Sequence, residues 1–242
     1  MKSTFTDQVI ILTRCLFREC DGLITIYGKN SGKLDLVARG TAKITSKLSG
    51  HLEPISLSNL MIIKGKQFNY IGGAVCDNSF FNIKNNFNKI ELAGKTINII
   101  NKTIKLSEPD ENIFKLLLNY LKFLNNQKIN QYNFEFIYYI FILKLLVNLG
   151  YTPEFYNCIY CKEKIKPNNN FISIADGGLI CENCKNKFKK NQLTILDNCI
   201  KILRIIIKND FQKIIKLNIK SDFIEVKKII KFFGEFYFNL KI

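Results

Sequence analysis

Leu23-Ile-Thr-Ile-Tyr27-Gly28-Lys29-Asn30-Ser31-Gly32-Lys33-Leu-Asp-Leu-Val-Ala-Arg39 decides the first half of the fold. Two β-prone runs, Leu23–Tyr27 and Lys33–Arg39, flank a turn bracketed by glycines, which predicts a hairpin. Reading outward, Val9–Phe17 is a further β-prone run upstream. Downstream, residues 40–54 are polar and punctuated by Gly40, Gly50 and Pro54. Ile55–Lys64 and Phe68–Cys76 then read as two more strands, joined by a short loop around Gly65. Five short strands with a longer insert between the third and fourth predict a five-stranded barrel of OB type. The same pattern allows a small open sheet.

After residue 80 the period changes to that of helices. Helical spacing runs through Phe87–Ile104. Ser107-Glu108-Pro109-Asp110 is a helix-start signal, with Ser107 as N-cap and proline and acids in the first turn. The helix of about 109–125 puts Ile113, Leu116, Leu117, Tyr120, Leu121 and Leu124 on one stripe. The next, about 132–148, is apolar nearly all round and predicts the centre of a bundle, stopped by Gly150 and Pro153. Further helices are expected at about 193–208 and 221–240. The fold class is therefore α+β and multi-domain. It comprises an OB barrel over 1–80 and a helical domain over 81–242, interrupted by a cysteine module at 154–190.

That module holds the sharpest chemical signal. Cys158-Ile-Tyr-Cys161 and Cys181-Glu-Asn-Cys184 are two C-x2-C pairs separated by 19 residues. Between them Phe171–Ile174 and Leu179-Ile180 flank Asp176-Gly177-Gly178, so a hairpin returns the second pair to the first. Two such knuckles can aim four thiolates at one zinc ion, bound at about 2.3 Å. Four protein ligands leave no vacancy for water or substrate, so the ion is expected to be structural and single. Four thiolates around Zn2+ total −2, which Lys162, Lys164, Lys185, Lys187 and Lys189 can offset. Cys15, Cys20, Cys76 and Cys199 lack ligand spacing and are expected to be buried or half-buried.

The chain carries 36 Lys+Arg against 20 Asp+Glu, a formal charge of +16, which suits a polyanionic partner. Part of this is lysine, asparagine and isoleucine bias of the kind an AT-rich genome produces. No enzyme constellation stands out: there is neither a phosphate-cradling glycine loop nor a Ser/His/Asp set. The only histidine, in His51-Leu-Glu53, shares the H-x-E half of the zinc deaminase motif. It lies far from Cys158 in sequence, Asn157 stands where a proline is needed, and the cysteine set is already complete. The protein is thus not expected to be an enzyme. The longest apolar run, Phe136–Leu143, is too short to cross a bilayer, and the apolar run Val9–Leu12 is too short for a signal peptide. A cytoplasmic, nucleoid-associated location and no membrane partner are expected.

The charge has structure within it. Three of the four arginines (Arg14, Arg18 and Arg39) fall in the first 39 residues. No acid interrupts the chain between Asp35 and Glu53. An OB fold binds along strands 2–3 and the loops joining strands 1–2 and 4–5. Those regions hold Arg14, Arg18, Lys29, Lys33, Arg39, Lys64 and Lys66, and Lys43 and Lys47 extend the series. These nine are the expected DNA contacts, largely to phosphate and therefore salt-sensitive. Phe17, Tyr27, Phe68 and Tyr70 are candidate stacking platforms for bases.

Taken together, the motifs resemble a known family. Val9-Ile-Ile-Leu-Thr-Arg14, Glu19-Cys-Asp21, Gly32–Gly40 and Leu52-Glu53-Pro54 are similar to the N-terminal domain of RecO. Leu146–Pro153, Cys158-x-x-Cys161 and Gly177-Gly178-Leu-Ile-Cys181-x-x-Cys184 are similar to its helix end and zinc knuckles, in the same order. One departure is Lys162, where many members have glycine after the second cysteine. The resemblance implies a recombination mediator. It would bind single- and double-stranded DNA and anneal complementary strands. With RecR it would help RecA load onto DNA coated with the single-strand-binding protein SSB, whose C-terminal tail it would contact. Lys227, Lys228 and Lys231 beside Phe232 and Phe233 could meet that tail, although helix core with solvated lysines is the simpler reading. The alternative function is an OB-fold and zinc RNA-binding or translation-associated factor.

Overall fold

The computed structural model describes residues 3–127, 134–187, 192–216 and 222–242. The chain divides into two compact units, Met1–Ile129 and Asn130–Ile242.

In the first unit, β1 (Thr4–Phe17), β2 (Asp21–Gly28), β3 (Gly32–Ala38), β4 (Ser56–Ile63) and β5 (Asn69–Asn78) close into a barrel. The order is β1-β2-β3-β5-β4, with β3 and β5 parallel and the other neighbours antiparallel. This is the OB arrangement, and closure removes the sheet edges. The long β1 serves two partners. Thr4–Ile11 pairs with β4 and Val9–Phe17 with β2, and the register shifts between Ile11 and Thr13 as the strand bends. Alternation along the strands sends Val9, Ile11, Ile24, Ile26, Leu36, Leu60 and Ile62 inward, with Ile71 from β5. Each such burial contributes about 1.5–3 kcal/mol. Residues 40–54 turn repeatedly, then form a short 3-10 helix, Ser49–Leu52, whose Leu52 joins the same core.

The β2–β3 turn is held from outside itself. The buried Asp7 carboxylate accepts from the Asn30 and Ser31 backbone N–H groups, from Asn30 Nδ2 at 2.9 Å and from Ser31 Oγ at 2.6 Å. Gly32 sits at φ +67°, and a Cβ there would meet Glu108 O at 2.5 Å, so the position requires glycine.

Three helices complete this unit: α1 (Phe81–Lys84), α2 (Phe87–Thr103) and α3 (Glu111–Asn126). Asn86 caps α2 by accepting from Lys89 N. The cap of α3 is Asp110, which accepts from Asn112 N at 2.7 Å and Ile113 N at 3.3 Å. Ser107, the expected cap, stands instead at φ +62° and donates its backbone N–H to Lys33 O at 2.8 Å.

Lys33 requires a second correction. It is buried, and its ammonium donates at 2.6 Å to both Asn101 O and Ile104 O, carbonyls at the end of α2. A cation there meets the negative end of the helix dipole and satisfies carbonyls that lack helical partners. Burial holds its pKa below the usual lysine value, with Asp35 partly offsetting. Lys33 therefore fixes α2 to the barrel and does not reach phosphate. Lys33→Met is expected to lower unfolding stability by about 2 kcal/mol, because one buried and one half-buried carbonyl lose their donor. An unchanged urea midpoint would rule this role out.

The second unit is built on α4 (Phe134–Asn148), buried almost continuously from Phe136 to Leu146. It packs against α5 (Asp197–Lys208) and α7 (Phe223–Phe238), with the short α6 (Phe211–Ile214) between them in sequence. The one charge in its centre, Lys144, donates to Asn209 O at 2.7 Å, at the C-terminal end of α5. α4 ends at Gly150, φ +86°, and Tyr151 N returns to Leu146 O at 2.9 Å. A three-stranded sheet, β7-β6-β8, is formed by β6 (Asn170–Ser173), β7 (Gly178–Ile180) and β8 (Gln192–Ile195). The helix expected from 193 thus begins only at Asp197, because Gln192–Ile195 pairs with β6. Lys189 and the expected helix starts at 132 and 221 lie outside the described residues. Lys227 pairs with Glu135 and Lys231 with Glu235, and Phe233 is buried in the core. No described helix is long and apolar enough to cross a membrane.

Candidate metal centre and nucleic-acid interface

The first cysteine knuckle is a tight reversal. Asn157 bridges to Lys164, Cys158 N donates to Glu163 O at 2.8 Å, and Lys162 N donates to Cys158 O at 3.0 Å. Lys162 stands at φ +62°, the region that favours glycine, at a local cost of about 1 kcal/mol. The second knuckle leaves β7 directly, and Cys184 N donates to Cys181 O at 3.0 Å. The two are brought together by the β6–β7 hairpin. Ile159 N donates to Leu179 O, Leu179 N to Glu154 O, and Glu154 N to Gly177 O, all within 2.9 Å. A Cβ on Gly178 would lie 2.6 Å from Ile159 and 2.9 Å from Glu154, so glycine permits this close approach. Phe171, Ile180, Ile159 and Ile165 pack beneath the sulfurs.

The four cysteine Sγ atoms all lie within 4.8 Å of one another. Cys161 Sγ and Cys181 Sγ are 3.8 Å apart. A tetrahedron with 2.3 Å metal–sulfur bonds has edges of about 3.8 Å, so the donor set fits a four-coordinate metal ion. Ionisation is uneven across the set. Burial opposes it at Cys158, but backbone N–H groups of Cys181, Cys161 and Tyr160 outweigh burial and bring that thiol down to about 7. Burial, with the neighbouring thiols adding to it, pushes Cys184 up to about 12. Four thiolates this close would repel one another, and a bound cation would offset that charge.

The remaining cysteines are elsewhere. Cys199 is buried and Cys20 and Cys76 are half-buried, as expected. Cys15, expected to be at least partly buried, is exposed on β1, beyond the register shift between Ile11 and Thr13. His51 accepts the Cys76 backbone N–H at Nδ1, 3.3 Å, and its carbonyl accepts from Ser58 Oγ. It is a structural residue of the barrel.

At one end of the barrel the β1–β2 loop, the β4–β5 loop and the end of β3 converge. Phe17 and Phe68 meet edge to face at 5.5 Å. Arg18 lies over the Phe17 ring at 5.1 Å, and Arg39 over the Tyr70 ring at 4.6 Å. Arg18 holds φ +58° in a position where glycine would be easier, so its side chain is kept against backbone preference. Arg18, Arg39, Lys64 and Lys66 are all exposed, and Phe17, Phe68 and Tyr70 are half-exposed. Lys43 and Lys47 project from the adjoining 40–48 turn and are also exposed.

The other expected contacts are not part of this cluster. Arg14 donates to Thr41 O at 2.8 Å and Ser49 O at 3.0 Å, clamping the 40–52 segment to the barrel. Lys29 lies at the opposite end of the β2–β3 hairpin, six residues or about 20 Å of strand away, where it pairs with Glu111 at 3.8 Å. Tyr27 is fully buried and donates to Asp110 O at 3.3 Å, so it is no stacking platform. Burial, with Asp110 nearby, raises its hydroxyl to about 12. The pairing of Arg39 with Tyr70 was not visible in sequence, since the two meet only through the parallel β3–β5 contact.

Comparison with known proteins agrees with this architecture. Residues 1–80 match the family described as Recombination protein O N terminal, and residues 86–241 match Recombination protein O C terminal. A DNA repair protein RecO of Dehalococcoides mccartyi is 30% identical over 207 residues, covering 86% of this chain and 79% of that relative. One from Thermoanaerobacter is 29% identical over 205 residues, covering 84% and 80%. One from Desulforamulus reducens is 25% identical over 243 residues, covering 100% and 92%. With an OB barrel, a helical unit and a paired-knuckle cysteine centre in the matching order, the chain belongs to the RecO family of DNA repair proteins.

Proposed function

We propose that this protein is a non-enzymatic recombination mediator, located in the cytoplasm with the nucleoid. It binds single- and double-stranded DNA, anneals complementary strands and, with RecR, helps RecA load onto SSB-coated strands. One observation carries this reading: the shared end of the barrel where Arg18 and Arg39 lie on aromatic rings beside Lys64 and Lys66. The arginines and lysines contact phosphates, and Phe17, Phe68 and Tyr70 offer ring surface to bases. Neutralising phosphate charge on two strands at once lowers their mutual repulsion, which is the physical requirement for annealing. Of the expected contacts, Arg18, Arg39, Lys43, Lys47, Lys64 and Lys66 make up the DNA face. Arg14 positions Lys43 and Lys47 through the segment it clamps.

The metal in this reading is one structural Zn2+ held by Cys158, Cys161, Cys181 and Cys184. All-sulfur donors and the tetrahedral edge length favour zinc among common cellular ions. The partners are RecR and the C-terminal tail of SSB, as membership of the family suggests. The test is annealing of complementary oligonucleotides precoated with bacterial SSB. Acceleration of about tenfold or more is expected, falling as salt rises and reduced when the SSB tail is deleted. No acceleration by folded, metal-loaded protein, together with tighter binding to RNA than to DNA, would overturn the mediator reading.

A further inference from the structure

The 40–48 turn carries a side chain that nothing in the fold accounts for. Ile44 is 105% exposed, more fully than any other large apolar residue among those described. Its backbone is far from loose. Gly40 N donates to Asp21 Oδ1 at 2.9 Å, Thr41 Oγ1 to Ala38 O at 3.1 Å, and Ala42 N to Cys20 O at 3.0 Å. Arg14 grips Thr41 O and Ser49 O on either side. Two consecutive turns, Lys43 N to Gly40 O at 3.2 Å and Ser46 N to Lys43 O at 3.0 Å, then lift Ile44 to the apex. A single exposed isoleucine is unremarkable on a surface. This one stands at the tip of an anchored turn, between two exposed lysines, in a stretch without acids from 36 to 52.

From this we infer that Ile44 is a wedge that inserts between adjacent bases of single-stranded DNA. The inference rests on the DNA-binding reading above and adds a residue and a role to it. The occupant follows from charge and shape. Lys43 and Lys47 flank the apex, and the Lys43 stem lies beside Gly40, next to Arg39 of the barrel face. A phosphate backbone held by those cations brings its bases to the apex. A β-branched side chain has little rotamer freedom to lose on insertion, and apolar wedges of this kind part stacked bases. Bases parted on one side keep their pairing edges free, which suits a protein whose product is a duplex.

The chain contains no tryptophan, so Ile44→Trp gives a single reporter at the apex. Its emission is expected to fall by about half on adding oligothymidine, as an indole stacked on a base does. In parallel, wild-type protein is expected to raise the fluorescence of an oligonucleotide containing 2-aminopurine by about twofold, through unstacking. Ile44→Ser should remove most of that rise and weaken binding about fivefold with the salt slope unchanged, while Ile44→Leu keeps both. The side chain contacts nothing that folding needs, so urea midpoints should be equal. An Ile44→Ser protein with wild-type affinity and a wild-type 2-aminopurine rise overturns the wedge alone. Wild-type protein without salt-sensitive DNA binding overturns the DNA-binding reading beneath it.

Discussion

Cys181→Ser is expected to lose zinc and to destabilise the second unit in the same step. Its Sγ lies 3.8 Å from that of Cys161, and its backbone N–H points at Cys158 Sγ at 3.5 Å. The substitution therefore removes one ligand and disturbs the knuckle facing it. A structural zinc site is worth about 10–16 kcal/mol of binding at neutral pH, most of it absent from the unfolded chain. Losing one of four ligands is expected to lower stability by about 3 kcal/mol or more, and metal content from one ion per chain to about a tenth after dialysis. A chelator applied to the wild-type protein should give the same melting curve. Cys15→Ser is the control, since Cys15 is exposed, belongs to the first unit and is not one of the four clustered cysteines. Retention of zinc with unchanged melting in Cys181→Ser would sink the assignment.

The expected loss is large because the sulfur end of this segment has only a small apolar cluster of its own. The sheet β7-β6-β8 has strands of only three and four residues, and the packing beneath the sulfurs rests on Phe171, Ile180 and a few half-buried neighbours. A cluster this small buries little apolar surface, and a metal held by the four cysteines would supply the missing stabilisation. Lys162 fits the same account. Its left-handed backbone is a cost that an isolated turn would relieve by opening, and one that bound metal can hold in place.

Where local chemistry decides structure, the sequence was readable. The paired C-x2-C spacing, the Asp176-Gly177-Gly178 turn and the Gly28–Gly32 hairpin each specify geometry within a few residues, and all appear as expected. What escaped depends on partners distant in sequence. The stretch from 193 has helical spacing, and Gln192–Ile195 is a strand only through its pairing with β6. β1 extends back to Thr4 because β4 lies alongside it, although Asp7 interrupts the apolar run. Lys33 looked like a surface cation, since nothing near it in sequence announces the end of α2, which is 68 and 71 residues away at its two acceptors. Asp110 displaced Ser107 as cap because β3 claims the Ser107 N–H. The candidate DNA contacts were legible only as a list of cations, and the division between those that bind helix ends or loops and those left in solvent required the fold.

That division leads to the second large effect. Replacing Arg18, Arg39, Lys64 and Lys66 together by alanine is expected to weaken single-stranded DNA binding about 100- to 1,000-fold near 0.1 M salt. Each phosphate contact to a single strand contributes about 0.7 to the slope of log K against log salt, so the slope should fall by about 3. All four side chains are exposed, and the ring contacts of Arg18, Arg39 and Lys64 are to Phe17, Tyr70 and Phe5, surface contacts whose loss leaves the barrel core untouched. Unfolding stability should therefore change little, since surface cation–ring contacts are worth about 0.5–1 kcal/mol each. Lys29→Ala separates a localised face from diffuse attraction. Lys29 carries the same charge but sits about 20 Å of strand away beside Glu111, and its loss should leave the slope nearly unchanged. If DNA instead responded only to total charge, every lysine removed would count alike. The fourfold variant would then lose no more than four substitutions chosen anywhere on the surface. Measured slopes for the two sets decide between a built interface and the general basicity of a lysine-rich chain.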